Sequence, residues 1–268
     1  MARSAMPCKM AVIRAATPTL PALIHPADRK SDVHKNIPAR ERLIVALDLP
    51  EAAQAEALVQ RLGDSVQFYK IGLELCMAPG FFSLLDWLRA RDKKVFVDLK
   101  FFDIPETVAR AIRNLSERGA AFATIHGNQS MMEAAAQAKT GDLKVLAVTA
   151  LTSLDQGDLD DMGFQCNIAD LVLSRAKRAL QAGCDGVVSS GLEVEALRKH
   201  APHELICVTP GIRPVANRSD ADQKRVMTPE RAIRAGADYL VVGRPIRDAA
   251  DPATAALAIH QEIARALA

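Results

Sequence analysis

Two charged residues interrupt the apolar run VFVDLKF at positions 95–101, Asp98 and Lys100. Residues two apart in an extended chain share a face, so this carboxylate and ammonium lie side by side. Asp103 follows just beyond the run. A second run, QFYKIGL (67–73), contributes Lys70, and LIVALDL (43–49) carries Asp48 near its end. An unpaired charge in a buried strand is very costly. Packed with alternating signs, these groups hold each lysine protonated and each carboxylate ionised. One use of such a set is a salt-bridge network that ties strands together. The other is a fixed charge array for a reaction that creates or removes charge on a small substrate. The set has neither the histidine nor the thiolate of a nucleophilic triad.

A second group of residues has the chemistry of phosphate binding. The segment VVGRPI (241–246) offers Gly243, where a backbone can approach closely, followed by the guanidinium fork of Arg244. The segment 212–227 carries Arg213, Arg218, Gln223, Lys224 and Arg225. With Arg244 it reads as a lid closing on a phosphorylated ligand. Other candidates are weaker. His126 is a lone histidine, and His200 and His203 flank Pro202 without helical metal-ligand spacing. The acidic cluster Asp155, Asp158, Asp160 and Asp161 lacks the glycine and closing Glu of a calcium loop. Met131 and Met132 read as packing residues. No P-loop and no G-x-G-x-x-G is present, so neither a nucleotide cofactor nor a metal is expected.

The elements that must position these residues follow from periodicity. Strand-like runs begin near Leu43, Gln67, Lys94, Phe122, Lys144, Gly186, Leu205 and Tyr239. Helical periodicity fills 51–62, 80–91, 106–118, 129–138, 167–182, 192–200, 228–235 and 253–267. Near-continuous Val, Ile and Leu strands imply a parallel sheet covered by helices. Three segments, ERGAAFATIH (117–126), QAGCDGVVSS (181–190) and RAGADYLVVG (234–243), repeat one pattern of helix end, glycine cap and buried strand. Eight repeats of one βα module predict a single (β/α)8 TIM barrel. The long links 152–166 and 212–227 follow the C-terminal ends of strands five and seven, the face on which such barrels act.

Composition sets the class. The chain has 268 residues, 49% hydrophobic and 25% charged, enough to bury a large core without staples. The net charge is +2, but residues 1–40 hold seven basic and two acidic groups, 7 − 2 = +5, leaving 27 − 30 = −3 for the rest. Residues 1–40 are therefore expected to be a basic, disordered extension, and residues 41–268 the barrel. A mildly acidic barrel argues against nucleic-acid binding. Cys8, Cys76, Cys166, Cys184 and Cys207 are scattered, odd in number and without a C-x-x-C pair, which suits a reducing compartment. No apolar run has the length of a membrane helix. A cytoplasmic protein is expected.

Taken together, VALDLP (45–50), YKIGLEL (69–75), DLKFFDIPETV (98–108), TALTS (149–153), TPGIRP (209–214), DQKRVMTP (222–229) and VVGRPI (241–246) resemble bacterial orotidine 5′-phosphate decarboxylases over roughly residues 42–267. The resemblance implies a decarboxylation of orotidine 5′-phosphate to UMP without a cofactor, in de novo pyrimidine synthesis. It implies that Lys100 donates a proton to carbon 6, that Asp98, Asp103 and Lys70 complete an alternating tetrad, and that Asp48 and Lys70 contact the ribose. Thr152 and Ser153 would lie near the base, and Arg213, Gln223, Gly243 and Arg244 would hold the phosphate. A homodimer is also implied, with Asp103 and Thr107 crossing the interface. The sister 3-keto-gulonate-phosphate decarboxylases and hexulose-phosphate synthases share D-x-K-x-x-D but require magnesium. The I-P-E-T ending of the strand-three motif and the residues Ser153 and Gln223 favour the pyrimidine reading. A barrel that only binds nucleotides is a third possibility, disfavoured by the intact tetrad.

Overall fold

The computed structural model describes residues 35–201, 203–214 and 226–268. Eight strands close into one parallel barrel in chain order. They are β1 (Leu43–Ala46), β2 (Phe68–Gly72), β3 (Lys94–Phe101), β4 (Phe122–His126), β5 (Lys144–Val148), β6 (Gly186–Val188), β7 (Ile206–Thr209) and β8 (Tyr239–Val242). The last closes on the first, with Leu43 opposite Leu240 and Val45 opposite Val242. The (β/α)8 expectation holds strand by strand.

Around the barrel run α1 (Ala52–Leu62), α2 (Leu73–Met77), α3 (Phe81–Arg89), α4 (Pro105–Glu117), α5 (Gln129–Ala138), α6 (Gln156–Asp161), α7 (Ile168–Gln181), α8 (Gly191–His200), α9 (Pro229–Arg234), α10 (Arg244–Arg247) and α11 (Pro252–Leu267). Their buried residues follow helical spacing, as with Ala55, Leu58, Val59 and Leu62 of α1. Three of these helices do not emerge from periodicity. α2 and α10 are single turns that begin as β2 and the stretch after β8 end. α6 lies inside the long link after β5, so that link is not simply a loop. The acidic residues there have a structural use: the Asp155 side chain accepts from the Asp158 N–H and Asp158 accepts from the Asp155 N–H, a reciprocal cap on α6.

Strand alternation divides the core in two. Ile44, Phe68, Phe96, Phe122, Leu146, Val208 and Val241 form a small cluster inside the barrel. The larger cluster lies between sheet and helices. Although only 4% of the chain is aromatic, aromatic rings plug the barrel. Phe122 lies 4.9 Å from Phe68 and 5.0 Å from Tyr239, ring centre to ring centre, in edge contacts.

The repeated helix-end pattern serves the barrel floor. Gly119, Gly183 and Gly236 have φ of 70°, 83° and 103°, left-handed values that a side chain resists. Two residues after the second and third of these glycines come Asp185 and Asp238. Each accepts the amide of the second residue of the preceding strand, from Val145 at 2.9 Å and Cys207 at 2.8 Å, and also pairs with cationic side chains. Lys139 approaches Asp185 at 2.5 Å, and Lys35 and Arg198 each approach Asp238 at 2.6 Å.

The contact of Lys35 shows that residues 35–40, grouped by charge with the extension, include a segment packed on the barrel. Arg42 is fully buried and reinforces it by donating to the carbonyls of Lys35, Ile37 and Asp238. Residues 1–34 lie outside the described residues. Among the described residues no helix is long and apolar enough to cross a membrane.

Candidate active site

The parity that turns Phe68, Phe96 and Phe122 into the barrel also turns in the residues two further along, Lys70, Asp98 and Thr124. These form the polar layer directly above the aromatic plug. Between the pairs Val97–Ala123 and Phe101–Ile125, β3 spends three residues where β4 spends one. Lys100 sits in that bulge with φ of 50°, a left-handed value rare for a residue with a side chain.

The charges join in a chain. Lys70 Nζ lies 2.8 Å from Asp48 Oδ1 and 3.5 Å from Asp98 Oδ2. Asp98 Oδ1 accepts from Lys100 Nζ at 2.9 Å and from the Thr124 hydroxyl at 2.9 Å. Burial pulls the Lys70 ammonium towards a lower pKa, but Asp98 and Asp48 outweigh it and hold the group above the ordinary lysine value. Burial likewise pushes the Asp98 carboxyl up. Lys70, Lys100 and the hydrogen bonds from Lys100 and Thr124 reverse that, leaving it below the usual carboxylate range. Both groups are therefore charged at neutral pH.

A cavity of about 450 Å³ opens over this chain. Asp48, Lys70, Asp98 and Lys100 line it, together with Thr152, Arg213, Gly243 and Arg244. The Lys100 side chain keeps 38% of its exposure, against 11% for Lys70 and 12% for Asp98. A network built only to tie strands together would bury all three. Here one ammonium is presented to the cavity while the other groups brace it.

Residues 41–259 match the orotidine 5′-phosphate decarboxylase / HUMPS family. The chain belongs to that family. A protein of Methylococcus capsulatus named orotidine 5′-phosphate decarboxylase is 65% identical over 230 residues, 86% of this chain and 95% of that one. One of the same name from Bradyrhizobium diazoefficiens is 52% identical over 232 residues, 86% of this chain and 97% of that one. Among solved structures, the orotidine 5′-phosphate decarboxylase of Lactobacillus acidophilus superposes with a TM-score of 0.74 at 36% identity, covering 83% of this chain and 99% of that one.

The residues expected in an orotidine 5′-phosphate decarboxylase fall into three groups. Asp48, Lys70, Asp98, Lys100, Thr152, Arg213, Gly243 and Arg244 converge on the cavity. Asp103, Thr107 and Ser153 are not part of its wall within one chain. Asp103 is exposed and accepts from the Ile104 N–H at 2.7 Å, and Thr107 lies in the first turn of α4. Gln223 lies outside the described residues, as do Arg218, Lys224 and Arg225. The segment 212–227 is closed at its base by a bridge between Ile212 and Met227, where the Arg213 N–H donates to the Met227 carbonyl at 2.9 Å. His126 does not line the cavity. It meets Phe102 edge-on at 4.7 Å, and burial together with nearby Arg175 lowers its pKa.

Three polar residues of the orotidine 5′-phosphate decarboxylase-like site escape the pattern reading. Thr124 is fully buried, and its spacing from Phe122 in FATIH is the signal that marks it as inward-facing. Arg247 lines the cavity, and no sequence pattern marks it. Arg175 of α7 donates to the Thr149 carbonyl at 2.8 Å and approaches the Phe164 ring at 5.7 Å. It thereby ties the end of β5 to the link that carries Thr152.

Proposed function

We propose that the cavity decarboxylates orotidine 5′-phosphate to UMP in pyrimidine synthesis, with Lys100 as the proton donor to carbon 6. The observation that carries this reading is the chain Asp48–Lys70–Asp98–Lys100 ending on an ammonium open to the cavity. The bond between carbon 6 and the carboxylate breaks, carbon dioxide leaves, and the electron pair stays on carbon 6. A compact ammonium beside that atom stabilises the charge as it forms and then transfers its proton to it. Water reprotonates Lys100. The names of the close relatives support this substrate and reaction.

Arg213, Gly243 and Arg244 suit the 5′-phosphate, together with Gln223. Asp48 and Lys70 suit the ribose, and Thr152 and Ser153 the base. Binding energy from a phosphate remote from carbon 6 lowers the barrier only where it helps to align the reacting groups. A homodimer completes the tetrad in this reading, with Asp103 and Thr107 entering from the partner chain. Its support is the exposed apolar surface around Asp103, where Phe102 is 64% and Ile104 66% accessible. Residues 1–34 are assigned as an extension to a cytoplasmic enzyme that needs no metal or cofactor.

The deciding experiment follows the ultraviolet absorbance of orotidine 5′-phosphate with protein exhaustively treated with EDTA, and then with Lys100→Ala. Loss of substrate with UMP formation is expected from the first and none from the second, which should still bind UMP. Turnover of a keto-pentose phosphate alone, and only after magnesium is restored, would move the site to the sister reaction. Unchanged turnover by Lys100→Ala would sink the proton-donor role.

A further inference from the structure

The bulge that carries Lys100 faces one residue of the neighbouring strand. Residues 98–100 of β3 stand opposite Thr124 alone, because Val97 pairs with Ala123 and Phe101 with Ile125. The ladder cannot satisfy the main chain there in the usual way, and an unpaired buried amide is expensive. The Thr124 hydroxyl takes the place of the missing ladder partner. The Lys100 N–H donates to Thr124 Oγ1 at 3.0 Å, and the same hydroxyl donates to Asp98 Oδ1 at 2.9 Å.

The direction of these two bonds is forced. A main-chain N–H can only donate and an ionised carboxylate can only accept, whereas a hydroxyl does both. Thr124 is fully buried, so no water competes for either position. The hydroxyl therefore fixes the backbone of Lys100 and the carboxylate of Asp98 in one frame, the same carboxylate oxygen that holds Lys100 Nζ at 2.9 Å. A left-handed lysine persists only where its surroundings over-determine it. Its ammonium is positioned from both ends, at the main chain and at the side-chain tip.

We infer that Thr124 is a positioning residue for the decarboxylation, holding the bulge so that Lys100 stays aimed at the reacting carbon. This rests on the assignment of Lys100 as proton donor. Thr124 is not part of the cavity wall and so does not touch the substrate. It should therefore govern the chemical step and leave binding of the phosphate and ribose intact.

The test compares Thr124→Val, which keeps the shape and removes the hydroxyl, with Thr124→Ser, which keeps the hydroxyl. Steady-state kinetics, the Kd for UMP and Tm are measured for each. The expected result for Thr124→Val is a fall in kcat of roughly 10–100-fold with KM and the UMP Kd within about 3-fold. Thr124→Ser should recover kcat to within about 3-fold of the parent. If Thr124→Val does not fold, Thr124→Ala is read by the same criteria.

Unchanged kcat in the variant lacking the hydroxyl, or a serine variant as slow as the valine variant, would overturn the inference. So would equal losses in kcat and UMP binding. Lys100→Ala measured alongside separates the two levels. If it still turns over, the proton-donor reading fails. If it is inactive while Thr124→Val is not, only the role of Thr124 fails.

Discussion

The guanidinium of Arg247 donates to the main-chain carbonyl of Asp48 at 2.5 Å, joining residues 199 apart in sequence. It also donates to the Asp248 carboxylate at 2.7 Å. Arg247 ends the short helix that starts with the proposed phosphate residue Arg244, and Asp48 carries the carboxylate that holds Lys70. One side chain thus braces the phosphate end of the cavity against its charged end. A hydrogen bond from a charged donor contributes about 1.5–3 kcal/mol, so Arg247→Ala should lower kcat/KM by roughly 10–100-fold. Steady-state assays on orotidine 5′-phosphate check this, with more of the loss expected in KM than in kcat.

The paired charges at the site set a pH range for stability. The Asp98 pKa is lowered on folding, so its contribution is complete above the unfolded aspartate value of about 3.9 and is lost as pH falls through the folded value. The Lys70 pKa is raised, so its contribution is complete below about 10.4 and is lost as pH rises through the folded value. Tm should therefore be flat with respect to these two groups from about pH 5 to 10. Lys70→Met removes the nearest counter-charge on one side of Asp98, and burial then pushes that carboxyl up. The acid decline of Tm should begin at a higher pH in the variant. An unshifted decline would show that Lys70 does not hold Asp98 ionised.

Asp238 belongs to the opposite face and should affect stability alone. Lys35, Arg198 and the Cys207 amide all converge on its Oδ2. Removing one partner of a buried ion pair costs about 3–5 kcal/mol, because the remaining charges are left uncompensated. Asp238→Ala is expected to lose that much in denaturant titration while kcat per folded molecule stays at the parent value. A large fall in kcat would mean that the barrel floor communicates with the site.

Gly186 is a test of space. A Cβ built there would lie 2.4 Å from the Ile206 carbonyl oxygen and 2.9 Å from Leu146 Cδ2. The first is main chain of the neighbouring strand and cannot swing aside. Gly186→Ala should cost about 1–3 kcal/mol by overpacking. Calorimetry should show Tm lower by roughly 2–4 °C for each of those kcal/mol.

Much of the molecule is legible in the chain because its signals are local. The two-residue period that hides Phe68 and Phe96 inside the barrel also places Lys70 and Asp98 on the same inner face. The glycines at 119, 183 and 236 announce helix ends because only a residue without a side chain enters that conformation readily. From such cues the strand count, the acting face and most of the charged layer can be read directly.

What local pattern cannot carry is contact between elements far apart in sequence. Thr124 looks like an ordinary strand residue until the register of β3 on β4 sets it against a bulge. Lys35 counts as one more charge in a basic extension until closure of the barrel brings Asp238 beneath it. Arg247 sits in a stretch with no pattern, and only the pairing of β8 with β1 brings it to Asp48. The residue types and their periodicity thus determined the barrel and the chemistry offered at its mouth. Register and ring closure, which arise from pairings along the whole chain, decided which groups aim and brace that chemistry.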